Sequence, residues 1–210
     1  MKLFIDCGTN LGQGLNFFNK KYKLFNNPEW QIYTFEPNPH CNLDSMFNNV
    51  NNLIKINKAV WINNDDEMEF ICKGKKSKQM RLQYNEDRFQ GGGSQLKKTF
   101  INSEIPEHVE IKLIKIKTID FGKFLLDMKN SNLYEYIIVK MDIEGAEFQI
   151  IEKLEQDDTL KLIDELYVEP HGRFEFKKSE WNNKKKEIGK TEQQLISTCK
   201  KHIKNVVQWS

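Results

Sequence analysis

The stretch Leu3–Gly14, LFIDCGTNLGQG, constrains the fold more than any other part of the chain. An apolar run ends in an acid, Asp6. A Gly8-Thr9-Asn10-Leu11-Gly12 loop follows, and then Leu15, Phe18, Tyr22 and Phe25 recur at helical spacing. A strand, a tight turn and a helix N-terminus therefore meet at one point. Such a point binds a nucleotide-like cofactor, because glycine lets a ligand approach the backbone. Gly8, Gly12 and Gly14 do not follow the G-x-G-x-x-G pattern of dinucleotide-binding turns.

Further along, strand-like and helix-like segments alternate. Trp30–Phe35 reads as a strand that ends at Glu36-Pro37-Asn38-Pro39, and Cys41–Asn49 as helical. Leu53–Val60 reads as a third strand with Ala59-Val60 at its tip, and Glu67–Cys72 as a hairpin partner. Val109–Lys117 is a strand with one polar face, followed by a helix over Phe121–Met128. Tyr136–Met141, YIIVKM, is a near-continuous apolar strand ended by Asp142, with a helix over Ile143–Leu154. Leu162–Val168 is the next strand, ending at Glu169-Pro170-His171-Gly172. Thr191 and Gln194 match a capping box for a last helix, and Asn205–Trp209 closes as a strand. The weakly patterned span Lys73–Ser103, with Gly91-Gly92-Gly93-Ser94 at its middle, reads as a lid, a binding loop or a disordered segment.

This alternation predicts a doubly wound α/β fold with a mostly parallel sheet, in one domain over residues 1–210. Ligands in such sheets bind outside the carboxyl ends of the strands. The polar tips are Asp6, Glu36, Asp142 and Glu169 with His171. Four acids on one edge are hard to explain by solubility. A carboxylate at the second tip, Glu36, suits a ribose diol, since it can accept a hydrogen bond from each hydroxyl. Asp142 also reads as an N-cap, with Glu144 and Glu147 complementing the helix dipole.

Composition removes several classes. Net charge is +2, which gives no bulk electrostatic case for a nucleic-acid partner, and Lys73–Lys78 and Lys184–Lys186 read as solvated faces. The four cysteines are scattered with no C-x-x-C pair, so a structural zinc site is not expected. No apolar run approaches the roughly 20 residues that span a bilayer, so no membrane partner is expected. With no signal peptide, a reducing, cytoplasmic location is the expectation.

Three stretches in order, FIDCGTNLGQ, TFEPNP and VKMDIEGAEF, resemble the FkbM family of methyltransferases from Leu3 to about Val168. The resemblance implies a class I, Rossmann-like, seven-stranded fold and S-adenosylmethionine as methyl donor. It also implies O-methylation of a hydroxyl, most often on a sugar or glycan. Carried onto this chain, it places Asp6, Gly8, Thr9, Asn10, Gly12 and Gln13 along the methionine part of the cofactor. Glu36 would hold the ribose, flanked by Pro37 and Asn38, and Ala59 and Val60 would lie near the adenine. Asp142 would stand at the junction of cofactor and acceptor. An early first strand and an AT-biased composition would suit one domain of a larger, viral glycan-building enzyme.

Two arrangements of catalytic residues fit. In one, His171 is the general base, oriented by Glu169 or Asp142. In the other, Asp142, Glu169 and His171 hold magnesium or manganese, which lowers the pKa of a sugar hydroxyl. Arg173 is open to two readings, contact with an acidic substrate or pairing with a surface glutamate. The rival classes are a methyltransferase for RNA, protein or lipid, a nicotinamide-dependent oxidoreductase, and a non-enzymatic binding module.

Overall fold

The computed structural model describes residues 1–65, 67–75, 89, 94–97, 109–176 and 178–209. The glycine segment Gly91-Gly92-Gly93, expected as a lid or binding loop, and Lys76–Lys78 of the basic run lie outside the described residues.

In chain order, β1 (Lys2–Cys7), α1 (Gln13–Tyr22), β2 (Trp30–Phe35), the one-turn α2 (Leu43–Met46) and β3 (Leu53–Ile56) come first. β4 (Ala59–Trp61), β5 (Met68–Lys75), β6 (Gln95–Leu96), β7 (Val109–Ile116) and β8 (Thr118–Asp120) follow. The last part holds α3 (Phe121–Asn130), β9 (Tyr136–Met141), α4 (Glu147–Gln156), β10 (Glu165–Val168), α5 (Lys185–His202) and β11 (Asn205–Gln208).

The central sheet runs β11-β10-β9-β1-β2-β3, and all five ladders are parallel. The doubly wound sheet expected from the sequence is present, with six strands among the described residues where seven were expected. β1 sits in the middle and is buried from Leu3 to Cys7, as a strand covered on both faces must be. Its alternate residues feed two cores. Leu3, Ile5 and Cys7 join Phe121, Leu125, Ile150 and Leu154 on one face, while Phe4 packs with Leu15, Phe18, Ile32 and Ile138 on the other. Burying Phe4 and Phe18, whose rings lie 5.1 Å apart, contributes about 1.5–3 kcal/mol each.

Three local expectations are corrected. Leu53–Val60 is not one strand. It breaks at Asn57-Lys58, and Ala59–Trp61 pairs instead with Thr118–Asp120 in a separate two-stranded sheet. The last helix begins at Lys185, so Thr191 lies inside it and its hydroxyl donates to the Glu187 carbonyl rather than capping. Asp142 is not an N-cap. Ile143–Ala146 forms a turn first, with Glu144 and Gly145 at φ of 56° and 101°, and α4 starts at Glu147. β5, read as a hairpin partner, pairs antiparallel with β6 and β7, which come later in the chain.

The turn after β1 depends on glycine. Gly8 has φ 78°, and a Cβ there would lie 1.9 Å from the Asp142 carbonyl oxygen. Gly189, inside α5, has open space where an alanine methyl would sit. We therefore expect Gly8→Ala to destabilise the protein by about 2–4 kcal/mol, through strain and steric conflict with the end of β9. Gly189→Ala should instead stabilise by about 0.5–1 kcal/mol. Urea denaturation of both variants checks the contrast, and equal midpoints would contradict the packing described.

Candidate functional site

The carboxyl ends of β1, β2 and β9 bring Asp6, Glu36 and Asp142 to one edge of the sheet. A cleft opens there. Gly8, Asn10, Glu36, Pro37 and Asn38 form one wall, and Ala59, Val60, Phe70 and Leu96 give an apolar one. Asp142, Ile143 and Glu144 close the third side. β4 reaches the cleft because it leaves the central sheet, which is why Ala59 and Val60 face it although they do not end the third strand.

Glu36 is buried at the cleft base. Its Oε2 accepts the Asn10 N–H at 2.6 Å and its Oε1 accepts the Asn38 N–H at 2.8 Å. Each carboxylate oxygen has a further lone pair to offer. Burial pushes the Glu36 pKa up, the two N–H bonds oppose it, and the result is about 7. Asn38 in turn donates to the Phe89 carbonyl at 3.0 Å, tying the cleft wall to the outer segment.

Four residues expected along the cofactor do not line this cleft. Asp6 is fully buried beneath the glycine turn. Thr9 is buried too, with its hydroxyl donating to the Asp6 carbonyl at 3.2 Å. Gly12 closes the turn by donating its N–H to the Thr9 carbonyl, and a Cβ there would strike the Phe47 ring. Gln13 is the exposed first residue of α1.

Beneath the turn lies a cation that the sequence reading passed over. Lys140 is 2 % exposed, near the end of β9. Its Nζ lies 3.2 Å from Asp6 Oδ1 and 3.4 Å from Asp142 Oδ2, and donates to the Gly8 carbonyl at 2.9 Å. Burial alone would lower its pKa, but the carboxylates of Asp6 and Asp142 outweigh that and hold it above the ordinary lysine range. The signal was a charge inside an otherwise apolar strand, which only a buried partner can make tolerable.

The fourth tip gathers acids around one imidazole. His171 is 2 % exposed, and its Nδ1 is 2.8 Å from Glu147 Oε1. Glu147 is fully buried and also accepts the N–H groups of Ile143 and Gly145. The residue that orients His171 is therefore Glu147, read from sequence only as a helix-dipole partner, and not Glu169 or Asp142. The other ring nitrogen, Nε2, faces Asp142 at 3.8 Å, Glu144 at 3.8 Å and Glu169 at 3.7 Å. Ligand atoms of Asp142, Glu144 and His171 all lie within 4.8 Å of one another. Burial lowers the His171 pKa, yet the Glu147 hydrogen bond and the charges of Glu147 and Glu144 bring it up to about 9. Burial likewise raises the Glu169 carboxyl, helped by the charge of Asp142. Arg173 sits 4.0 Å from Glu144, a partly buried member of the cluster that lines the cleft and not a surface glutamate.

The arrangement offers a cleft with a buried carboxyl group, Glu36, at one end and an imidazole ringed by carboxylates at the other. Among the described residues, no helix is long and apolar enough to cross a membrane.

A buried carboxyl held above its ordinary 4.5 keeps its proton more firmly when folded. Its contribution to stability therefore falls as pH rises from 4.5 through about 7. Glu36→Gln lacks that titration. The stability of the variant relative to the native protein should grow across this window, measured by urea unfolding at each pH. A constant difference would contradict the electrostatics given for Glu36.

A family model described as the methyltransferase FkbM domain matches residues 6–196, from the acid at the end of β1 through His171 and into α5. Comparison with curated proteins gives no match, and comparison with solved structures gives none. The family match spans nearly all of the cleft and the acidic cluster, and on it the chain belongs to the FkbM methyltransferase family.

Proposed function

We propose that the protein transfers a methyl group from S-adenosylmethionine to a hydroxyl, in the first instance of a sugar or glycan. The observation that carries this reading is the continuity of the cleft from Glu36 to Asp142 and Glu144. One end suits a ribose and the other suits the activation of a hydroxyl.

The residues present fit the cofactor. Gly8 lines the cleft with no side chain of its own, and both Glu36 oxygens keep acceptor capacity after binding Asn10 and Asn38. Glu36 would take the two ribose hydroxyls, Ala59, Val60 and Phe70 would cover the adenine, and Gly8 and Asn10 would border the methionine part. When bound, S-adenosylmethionine supplies a methyl already activated by the sulfonium charge. The protein then needs to orient a hydroxyl and accept its proton.

In the arrangement without a cation, Asp142, on the side of the cluster that lines the cleft, is the residue we assign to the proton. His171 is assigned a catalytic role through the charge it holds beside Asp142. Three carboxylates converging on His171 Nε2 demand a positive charge among them. Either the imidazolium proton meets that demand in part, or a divalent cation in its place meets it fully, with His171 then neutral and Nε2 a ligand. A site of carboxylate oxygens and one imidazole suits magnesium or manganese better than zinc. Asp142, Glu144, Glu169 and His171 would hold such a cation, with Glu147 fixing the imidazole from behind as carboxylates do in metal sites. Its chemistry there would be to lower the pKa of an adjacent sugar hydroxyl.

Titration calorimetry tests the cofactor. S-adenosylhomocysteine should bind and NAD should not, and Glu36→Ala should weaken binding by about tenfold to a hundredfold, as loss of charge-assisted hydrogen bonds does. Binding of NAD alone would replace the reading with an oxidoreductase. The chemistry is tested by release of S-adenosylhomocysteine during turnover with a panel of methyl glycosides. Asp142→Ala should abolish transfer while cofactor binding stays measurable. EDTA should abolish transfer and manganese restore it, and full activity in a chelator would rule out the metal.

A further inference from the structure

We infer that Lys140 is a positioning residue, which selects the oxygen of Asp142 that faces the reacting hydroxyl. The inference rests on the methyltransferase reading above.

Lys140 and Asp6 are register partners on neighbouring strands, on the face covered by α1. The lysine stem is buried. Gly14 of α1 packs over it, and a Cβ at Gly14 would come within 3.2 Å of Lys140 Cε. An ammonium group has three hydrogens. Three acceptors surround this one, at the Gly8 carbonyl, Asp6 Oδ1 and Asp142 Oδ2. The Gly8 carbonyl takes a hydrogen bond and the two carboxylates stand at ion-pair distance, so the ammonium is held among groups of the protein itself.

The consequence falls on Asp142. Its N–H donates to the Cys7 carbonyl at 3.1 Å, which fixes its backbone to β1. Its Oδ2 is drawn inward to Lys140, so Oδ1 is the oxygen turned toward His171 Nε2. Rotation of the carboxylate would break the contact with Lys140. The same ammonium holds the Gly8 carbonyl, so the glycine turn and the proton acceptor share one anchor. Misplacing a catalytic group by about 1 Å costs on the order of 100-fold in rate.

A purely structural role for Lys140 would be to neutralise Asp6. The two roles separate in Asp6→Asn/Lys140→Met, which removes both buried charges together and avoids leaving one unpaired. Lys140→Met alone should be the less stable of the two. In the double variant we expect a melting temperature near that of the native enzyme. We also expect kcat to fall about 100-fold, with KM for S-adenosylmethionine within about threefold. The acceptor is the methyl glycoside that the native enzyme turns over fastest. In the crystal structure of the double variant, Asp142 Oδ1 should have left the neighbourhood of His171 Nε2.

An unmoved Asp142, or a moved one with native kcat, would overturn the inference. Should the double variant fail to fold, Lys140→Gln carries the same two readouts. A native protein that binds no S-adenosylhomocysteine would defeat the methyltransferase reading instead, and the crystallographic comparison would still judge Lys140.

Discussion

The site depends on how closely the ends of β1 and β9 approach each other. The two central strands are in parallel register from Lys2 and Tyr136 to Cys7 and Met141, and at the end of that ladder Gly8 lies against the carbonyl of Asp142. No side chain fits between them. The contact also brings three charges together, those of Asp6 and Lys140 buried and that of Asp142 at the cleft, and the ammonium of Lys140 stands between the two carboxylates. The glycine turn, the start of α1 and the Asp142 turn all take their positions from this contact.

From this anchor the two ends of the cleft acquire different electrostatics. Glu36 is held by two backbone N–H groups and is raised by burial to about 7. Its charge is therefore smaller near neutral pH than that of an ordinary carboxylate. At the other end, Asp142, Glu144 and Glu169 remain partly exposed around a buried His171 whose orientation is set by Glu147. A titrating buried carboxyl and a cluster of partly exposed carboxylates are thereby separated along one edge of one sheet. This arrangement agrees with the general placement of ligands at the carboxyl ends of parallel strands.

Much of this was legible in the residues, and the parts that were not have physical causes. β1, β2 and β9 could be read because a strand buried on both faces shows as an apolar run ending in a polar tip. The split of Leu53–Val60 could not, since Asn57-Lys58 is a weak break and only pairing with Thr118–Asp120 makes Ala59–Trp61 a separate strand. The early start of α5 was hidden by Thr191 and Gln194, which match a capping box that the fold does not use. Lys140 drew no reading of its own, because its partner Asp6 is remote in sequence. Glu147 read as a dipole partner because its bond to His171 spans two elements and depends on the Ile143–Ala146 turn, where Glu144 takes a positive φ. Spacing reports what a residue does within its own helix or strand and is silent on contacts across the sheet edge.

The measurement that bears most directly on the proposed chemistry is a crystal structure of the protein grown with S-adenosylhomocysteine and manganese. The ribose hydroxyls should lie on the two oxygens of Glu36, the adenine against Ala59 and Val60, and anomalous manganese density among Asp142, Glu144, Glu169 and His171. Cofactor density elsewhere on the molecule, or a ribose that does not touch Glu36, would contradict the assignment of the cleft.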